Sequence, residues 1–222
     1  MAKILFLIFF ITASLFSYTF EDIKNFENRN GTLKALKFYK QLVEQDNQEA
    51  MIYLARVYLE GKGIEKSFSK AQKLLQKASD LGNNKASYYL GKFYLSKKTP
   101  YFNLAKAYNS FVKAANNNYP PALNMVGEFL VNGIAVKKDY KLAVKLFEKA
   151  AKQDFINAQC NLAFMYASGK GVFPNFGRAN VFAKKGKELG NKRCIKVWND
   201  FNLAKYPEDK GFKFNFYTKP SN

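Results

Sequence analysis

The chain has 222 residues and a formal net charge of +19, because 36 lysine and arginine side chains outnumber 17 aspartates and glutamates. It contains no histidine, which removes the commonest general base and metal ligand of enzymes. Its two cysteines cannot supply a zinc ligand set alone, so the composition argues against zinc sites and gives no support to a bound cofactor.

Residues 1–17 have the pattern of a secretory signal peptide. A basic start at Lys3 precedes the apolar run Ile4–Ile11, and small residues follow this run up to Ser17. The run is too short to span a bilayer comfortably, so we expect cleavage after Ser17 or Ser14, with an uncleaved anchor as the alternative. The pattern predicts an exported bacterial protein, periplasmic or secreted, with no membrane span after cleavage.

Residues 18–30 form an acidic-leaning lead-in segment that could be a short helix or stay loose. From residue 31 to residue 204 the sequence repeats itself with a period of 36, and the full units are 49–84, 85–120, 121–156 and 157–192. Their landmarks are Ala50, Ala86, Ala122 and Ala158, followed in each unit by Ala71, Ala107, Ala143 and Ala179. A fixed period of this length is typical of a solenoid, in which each unit buries its apolar face against its neighbours.

Each unit has the pattern of two helices joined by a loop. In the first unit Ala50, Leu54 and Tyr58 share one helix face, and the loop Gly61–Gly63 ends that helix. The second helix begins in all four units at a good N-cap residue, namely Ser67, Asn103, Asp139 and Asn175. It ends near residues that tolerate a left-handed backbone, namely Gly82, Asn118, Asp154 and Gly190.

The unit follows the pattern A-x3-L-[GA]-x2-Y-x2-G-x-G-[IV]-x-[KP]-x3-[KR]-A-x6-A-x3-G, which resembles the Sel-one-like repeat family of tetratricopeptide-like proteins. The resemblance implies an all-α fold, a right-handed α/α solenoid of four full repeats with partial capping units. It also implies a non-catalytic scaffold that binds other proteins. The second unit departs from the pattern, because Ser96–Pro100 replaces the glycine loop, and the third has Ala135 for the second glycine. We expect altered loops on an intact stack of about ten helices.

Incomplete units flank the four full ones. Leu33–Val43 repeats the second helix alone and would cap the N-terminal end. At the other end Cys194, Trp198 and Phe201 continue the first-helix phase, with Trp198 at a packing position. For the tail, residues 205–222, we expect a flexible or loosely docked terminus, although its alternating phenylalanines could add as a strand to a partner.

Two cysteines, Cys160 and Cys194, lie 34 positions apart in the first helices of adjacent units. A disulfide between them would suit an oxidising compartment. Two separate reduced thiols are the favoured interpretation. The side chain of Cys160 should point toward the concave surface, whereas Cys194 stands at the repeat position of the buried landmark alanines, so the two sulfurs would point apart.

Basic residues concentrate on the second helices, at Lys70, Lys73 and Lys77; Lys106 and Lys113; Lys141, Lys145, Lys149 and Lys152; and Arg178, Lys184, Lys185 and Lys187. Second helices line the convex surface of the solenoids that this chain resembles, so we expect a basic convex face. Such a face could bind peptidoglycan or another anionic cell-envelope component, or it could simply keep the protein soluble. Export and the lack of a recognised module argue against a nucleic-acid partner.

Two Ser-x-x-Lys sequences, Ser67–Lys70 and Ser110–Lys113, are the strongest catalytic candidates. Serine β-lactamases use this spacing. Some cysteine-rich relatives in the family are described as β-lactamase-like, so an envelope enzyme of this kind is the alternative function. The Ser-Asp-Asn and Lys-Thr-Gly partners are missing, and Ser67 is already the helix cap. We therefore predict no catalytic residue.

The first-helix positions that packing does not use vary from unit to unit, as expected for a surface that binds a partner. The candidates along this concave face are Ile52, Arg56, Tyr88, Lys92, Asn124, Glu128 and Phe164. Tyr88, Phe164 and Arg56 are the strongest, because aromatic and arginine side chains dominate binding hot spots. The sequence thus predicts an exported, monomeric, protein-binding adaptor.

Overall fold

The computed structural model describes residues 18–209, 211 and 212, so the predicted signal peptide and residues 213–222 lie outside the described part. Within that part the chain forms eleven α-helices and a short 3-10 helix at Leu203–Lys205, without any strand. The α-helices are α1 (Phe20–Asn30), α2 (Thr32–Glu44), α3 (Gln48–Glu60), α4 (Phe68–Asp80), α5 (Asn84–Leu95), α6 (Leu104–Ala115), α7 (Pro120–Asn132), α8 (Tyr140–Ala151), α9 (Ile156–Ser168), α10 (Phe176–Glu188) and α11 (Lys192–Asp200). Each packs mainly against the helices beside it in the chain. The predicted all-α solenoid is confirmed.

The predicted starts of the second helices are confirmed in all four full units. The side chains of Ser67, Asn103, Asp139 and Asn175 each accept a hydrogen bond from the backbone N–H three residues later, at 3.3, 2.8, 2.9 and 2.8 Å respectively. Each cap thus satisfies one of the N–H groups that lack a partner within the helix.

The predicted ends of the second helices are also confirmed. Gly82, Asn118, Asp154 and Gly190 have φ values of 88°, 56°, 59° and 73°, in the left-handed region. Asp46 takes the same conformation, with φ of 58°, directly after α2. The helix before the first full unit therefore ends as those of the full units do.

The loop inside the unit changes its backbone in the second unit but not in the third. Ala135 takes a left-handed conformation, with φ of 57°, as Gly63 and Gly171 do at the same repeat position, so the expected alteration of the third loop is wrong. Gly61, Gly133 and Gly169 end α3, α7 and α9 in a left-handed conformation. Ser96 instead ends α5 in an extended conformation, and the hydroxyl of the buried Thr99 donates to its carbonyl oxygen at 3.2 Å. Because α5 and α6 remain regular on either side, the stack survives the altered loop as expected.

Where the two helices of a unit cross, the sizes of the facing side chains are complementary. In the second and third units α5 and α7 place Gly91 and Gly127 against the fully buried rings of Phe111 and Phe147. A Cβ atom at Gly91 would lie 2.6 Å from the Phe111 ring, and one at Gly127 would lie 2.5 Å from the Phe147 ring. The first unit has Ala55 and Leu75 at the same two phases. A larger side chain on the second helix is therefore matched by a smaller one on the first.

The lead-in segment is a helix, so α1 and α2 make a pair ahead of the four full units. Thr19 and Asp22 cap α1 reciprocally, each side chain bonding the other residue's backbone N–H. The pair closes around the buried Glu27 of α1. Its carboxylate accepts from Thr32 Oγ1 at 2.7 Å, Tyr39 Oη at 3.0 Å and Lys24 Nζ at 3.1 Å, and also from the hydroxyl of Tyr53 on α3.

We expect acid to weaken this N-terminal network. Burial raises the pKa of Glu27, but the four hydrogen bonds outweigh burial and hold the pKa at about 2, below the usual value for glutamate. A carboxyl group whose pKa is depressed by folding adds stability above its unfolded pKa, and loses that contribution as the pH falls toward the folded value. Thermal midpoints of wild type and Glu27→Gln, measured between pH 7 and pH 2.5, should therefore converge below about pH 4.5. A difference between the two thermal midpoints that stays constant from pH 7 to pH 2.5 would contradict this prediction.

The first residues of the predicted tail, 205–222, are docked, which agrees with the docked one of the two expected alternatives. Asn180 of α10 donates to the backbone carbonyls of Leu203 and Tyr206 at 3.0 and 2.8 Å. Arg178 of the same helix binds Asp209 at 3.0 Å. The C-terminal segment thus covers α10 at least as far as Asp209, because it satisfies side chains that α10 presents to it.

Candidate binding face of the first helices

The partner-binding candidates do not form one continuous surface. Ile52, Arg56 and Lys92 line a cavity of about 540 Å³ at the N-terminal end, which we call the N-terminal cavity. Glu128 and Phe164 line a second cavity of about 430 Å³ between α7 and α11, the C-terminal cavity. Tyr88 and Asn124 line neither of these two cavities.

Asn124 and Tyr88 have structural contacts that sequence analysis did not foresee. Asn124 is only 4% exposed and accepts from Asn161 of the next unit at 2.7 Å, which makes it a polar contact between units. Tyr88 is half-buried, with its ring centroid 5.7 Å from those of Phe111 and Tyr119. Burial raises the pKa of its hydroxyl. Neither side chain is a free recognition group.

Apolar and basic side chains line the N-terminal cavity, which lies among α1, α3, α4 and α5. Ile52, Leu59 and Phe93 supply much of the apolar lining, together with the ring of Tyr89, which is 38% exposed. The charged side chains of the lining are Lys24, Arg56, Lys85, Lys92 and Lys98, against the carboxylate of Glu49. Sequence analysis missed Tyr89, because only the fold shows which of two adjacent tyrosines faces outward.

The C-terminal cavity is more polar. Glu128 accepts from Asn124 at 2.9 Å and from Asn161 at 3.3 Å, and it pairs with Arg193 of α11. Phe164 is half-buried, and Lys170 Nζ lies 5.0 Å from the centre of its ring. The carboxylate of Glu128 is therefore already engaged by the protein itself.

Cys160 and Cys194 form a disulfide that joins α9 to α11. This corrects the expectation of two separate thiols: Cys160 does not lean into solvent, both side chains are fully buried, and their Cα atoms are 4.7 Å apart. Gly186 of α10 packs on the sulfur of Cys194, where any Cβ atom would overlap it. The inward direction of the Cys160 side chain could not be predicted from its position in the repeat alone.

A family model described as the Sel1 repeat matches residues 48–83, 120–155 and 156–191. These ranges coincide, within one residue, with three of the four units. The chain belongs to the Sel1 repeat family. The unmatched unit is the second, which has the altered loop but keeps both Sel1-type helices.

Two solved structures show the same Sel1 fold. A Sel1 repeat protein from Oxalobacter formigenes is 26% identical, with a TM-score of 0.73 over 84% of this chain and 78% of its own. A protective antigen of uropathogenic Escherichia coli strains is 28% identical, with a TM-score of 0.72 over 83% of this chain. The present chain spans 41% of the length of that antigen. No curated protein matches the sequence. Sel1 repeat proteins typically mediate protein–protein interaction.

The two Ser-x-x-Lys sequences of this Sel1-repeat protein are occupied by structural contacts. Ser67 caps α4, and Ser110 donates to the carbonyl of Lys106 at 2.8 Å. Lys113 binds Asp80 of the preceding unit at 2.9 Å. Among the described residues no cluster of acidic or cysteine side chains could hold a metal ion, and none of the helices there has the length and apolarity to cross a membrane.

On the second helices, carboxylates at the end of one Sel1 unit neutralise part of the basic charge of the next. Lys77 pairs with Asp46 at 2.6 Å, and Lys185 pairs with Asp154 at 3.0 Å. Such exposed pairs add little stability. Their effect is to leave the second helices less basic than their lysine content suggests.

Proposed function

We propose that this protein is an exported, non-catalytic adaptor that binds protein partners on the face of its first helices. The observation that carries the proposal is the contrast between repeated and varying positions on those helices. The repeated alanines Ala50, Ala86, Ala122 and Ala158 are fully buried. Among the varying positions, Arg56 is 60% exposed, and Lys92 is exposed on the next unit.

Two cavities on this face support the proposal, because side chains of a partner need concave sites in which to be buried. The aromatic and arginine side chains in their linings, such as Tyr89, Arg56 and Phe164, are of the types that are enriched at protein interfaces. Export rests on the pattern of residues 1–17, which predicts delivery to the periplasm or beyond.

Three variants that each remove two positive charges test the adaptor function. Arg56→Ala/Lys92→Ala alters the N-terminal cavity, Lys138→Ala/Lys170→Ala alters the C-terminal cavity, and Lys73→Ala/Lys141→Ala alters only second helices. Tagged proteins capture partners from the native envelope fraction, and mass spectrometry identifies them. We expect at least one protein that wild type and the second-helix variant retain and that a cavity variant loses.

Two outcomes would contradict the adaptor function. One is capture of no protein by wild type. The other is equal loss in all three variants, because that would indicate attraction to charge alone.

A second candidate function is binding of an anionic envelope glycan by the second helices. It is favoured by the exposed Lys73, Lys141, Lys149 and Lys152, for which the described residues offer no carboxylate at ion-pair distance. Sedimentation with purified sacculi should then be lost at high salt, because exposed charges are screened. It should also be weaker in Lys73→Ala/Lys141→Ala than in the two cavity variants.

A further inference from the structure

The N-terminal cavity has the features of a site for an acidic peptide. Its apolar lining, formed by Ile52, Leu59, Phe93 and Tyr89, is open to one side and large enough for an aromatic or branched aliphatic side chain. Its basic side chains come from several elements: Lys24 from α1, Arg56 from α3, Lys92 from α5 and Lys98 from the loop after it. We propose that this cavity binds an extended acidic peptide that inserts an aromatic or aliphatic side chain, a proposal that rests on the adaptor function above.

Most of these cations lack a strong partner within the protein. Lys92 and Lys98 have no carboxylate at ion-pair distance in the described part of the chain, and Arg56 lies 4.0 Å from Glu60 at the limit of such a pair. Lys24 and Lys85 are already paired, with Glu27 at 3.1 Å and with Glu49 at 3.7 Å. Two lysines and one arginine are therefore free to bind carboxylates of a partner.

The arginine is also held in position for this role. Its guanidinium lies 5.0 Å from the ring centre of Tyr53, and the hydroxyl of Tyr53 is bonded to Glu27. A cation that stacks on a fixed ring loses less side-chain freedom when it binds a carboxylate. Arg56 is consequently the cation that should contribute most.

The spread of the cations favours a peptide with several carboxylates over a ligand with one acidic group. The side chains of Arg56, Lys92 and Lys98 belong to three separate elements, so several carboxylates of an extended peptide can each pair with a different cation. The protein's own tail does not fit, because residues 213–222 contain two lysines and no acidic residue. A second copy of the chain does not fit either, since each copy carries a net charge of +19.

Fluorescence anisotropy of the purified protein with three labelled nine-residue peptides tests the proposal. The first peptide repeats Glu-Asp-Phe, the second replaces each Phe by Ser, and the third replaces each acidic residue by Lys. We expect the first to bind, the second to bind about tenfold more weakly because the apolar insertion is lost, and the third not to bind. For the first peptide, Arg56→Ala/Lys92→Ala should weaken binding about tenfold, and Lys73→Ala/Lys141→Ala less than twofold.

Several results would overturn the proposal. If no peptide binds, or if both double variants weaken binding equally, the cavity does not recognise the peptide. If the Ser peptide binds as well as the Phe peptide, the site is a general anion site. If laurate displaces the peptide and binds more tightly, the ligand is an anionic lipid.

The capture experiment separates this proposal from the adaptor function. If the peptides fail while partners are lost by Lys138→Ala/Lys170→Ala alone, the adaptor function stands and its site is the C-terminal cavity. If the Phe peptide binds as expected but wild type captures no envelope protein, the peptide site stands and the adaptor function does not.

Discussion

Replacing both cysteines in Cys160→Ala/Cys194→Ala is expected to lower the free energy of unfolding by about 4 kcal/mol. The bond closes a loop with a sequence separation of 34 residues. In the chain-entropy description, a cross-link over that separation costs the unfolded chain entropy worth about 4 kcal/mol. Urea unfolding followed by circular dichroism should show the loss as a lower midpoint for the transition of the C-terminal units.

Reduction provides the control for the double variant. Dithiothreitol should lower the urea midpoint of the wild type by a similar amount, and should leave that of Cys160→Ala/Cys194→Ala unchanged. Mass spectrometry after alkylation under denaturing conditions should find both thiols blocked before reduction. Free thiols in protein purified without reductant, or a wild-type midpoint that does not change when the reductant is added, would contradict the prediction.

Because Gly127 contacts the ring of Phe147, Gly127→Ala is expected to destabilise the wild-type protein but to stabilise the Phe147→Leu variant. Gly127→Ala places a Cβ atom 2.5 Å from a buried ring, and such overpacking costs about 1–3 kcal/mol. The cost should exceed the gain of about 1 kcal/mol that alanine has over glycine within a helix. In the Phe147→Leu background the ring is gone, so the same Gly127→Ala change should stabilise the protein. Unfolding free energies of the four proteins in this double-mutant cycle measure the coupling.

The preceding unit offers a parallel cycle, because Gly91 faces Phe111 in the same way. Gly91→Ala and Phe111→Leu should show a coupling of the same sign. The combination of alanine with leucine is the one that the first unit already has at Ala55 and Leu75. If Gly127→Ala had the same effect with and without Phe147, the size exchange between the helices would have no energetic basis.

The helix boundaries could be predicted because they depend on local backbone chemistry that recurs every 36 residues. Asn103 caps α6 and Asn118 ends it for the same reasons that apply in the other units, so each unit repeats the prediction. The altered loop at Ser96 was visible in the sequence for the same reason. By contrast, α1 has no counterpart at the repeat phase, and its network depends on Tyr39 and Tyr53, which are 12 and 26 positions from Glu27.

The binding candidates could be predicted only to within a helix. A repeat phase indicates which turn of a helix a residue occupies, but its exposure depends on how far adjacent units rotate. Asn124 is covered by Asn161, whereas Arg56 at the same face remains open. Cys160 occupies the same repeat position as Ile52 and Asn124, which are also buried, so the sequence analysis had assigned to the open surface a position that the stacking of units covers.

Because each helix packs mainly on its neighbours in the chain, the helices at the two ends have a neighbouring unit on one side only, and unfolding should begin there. Those ends are fastened by different chemistry. A carboxylate, Glu27, fastens the first, and the bond between Cys160 and Cys194 fastens the last. Acid should therefore cause unfolding to begin at the N-terminal end, and a reductant should cause it to begin at the C-terminal end. The surroundings would thus decide which cavity opens first and which one remains intact.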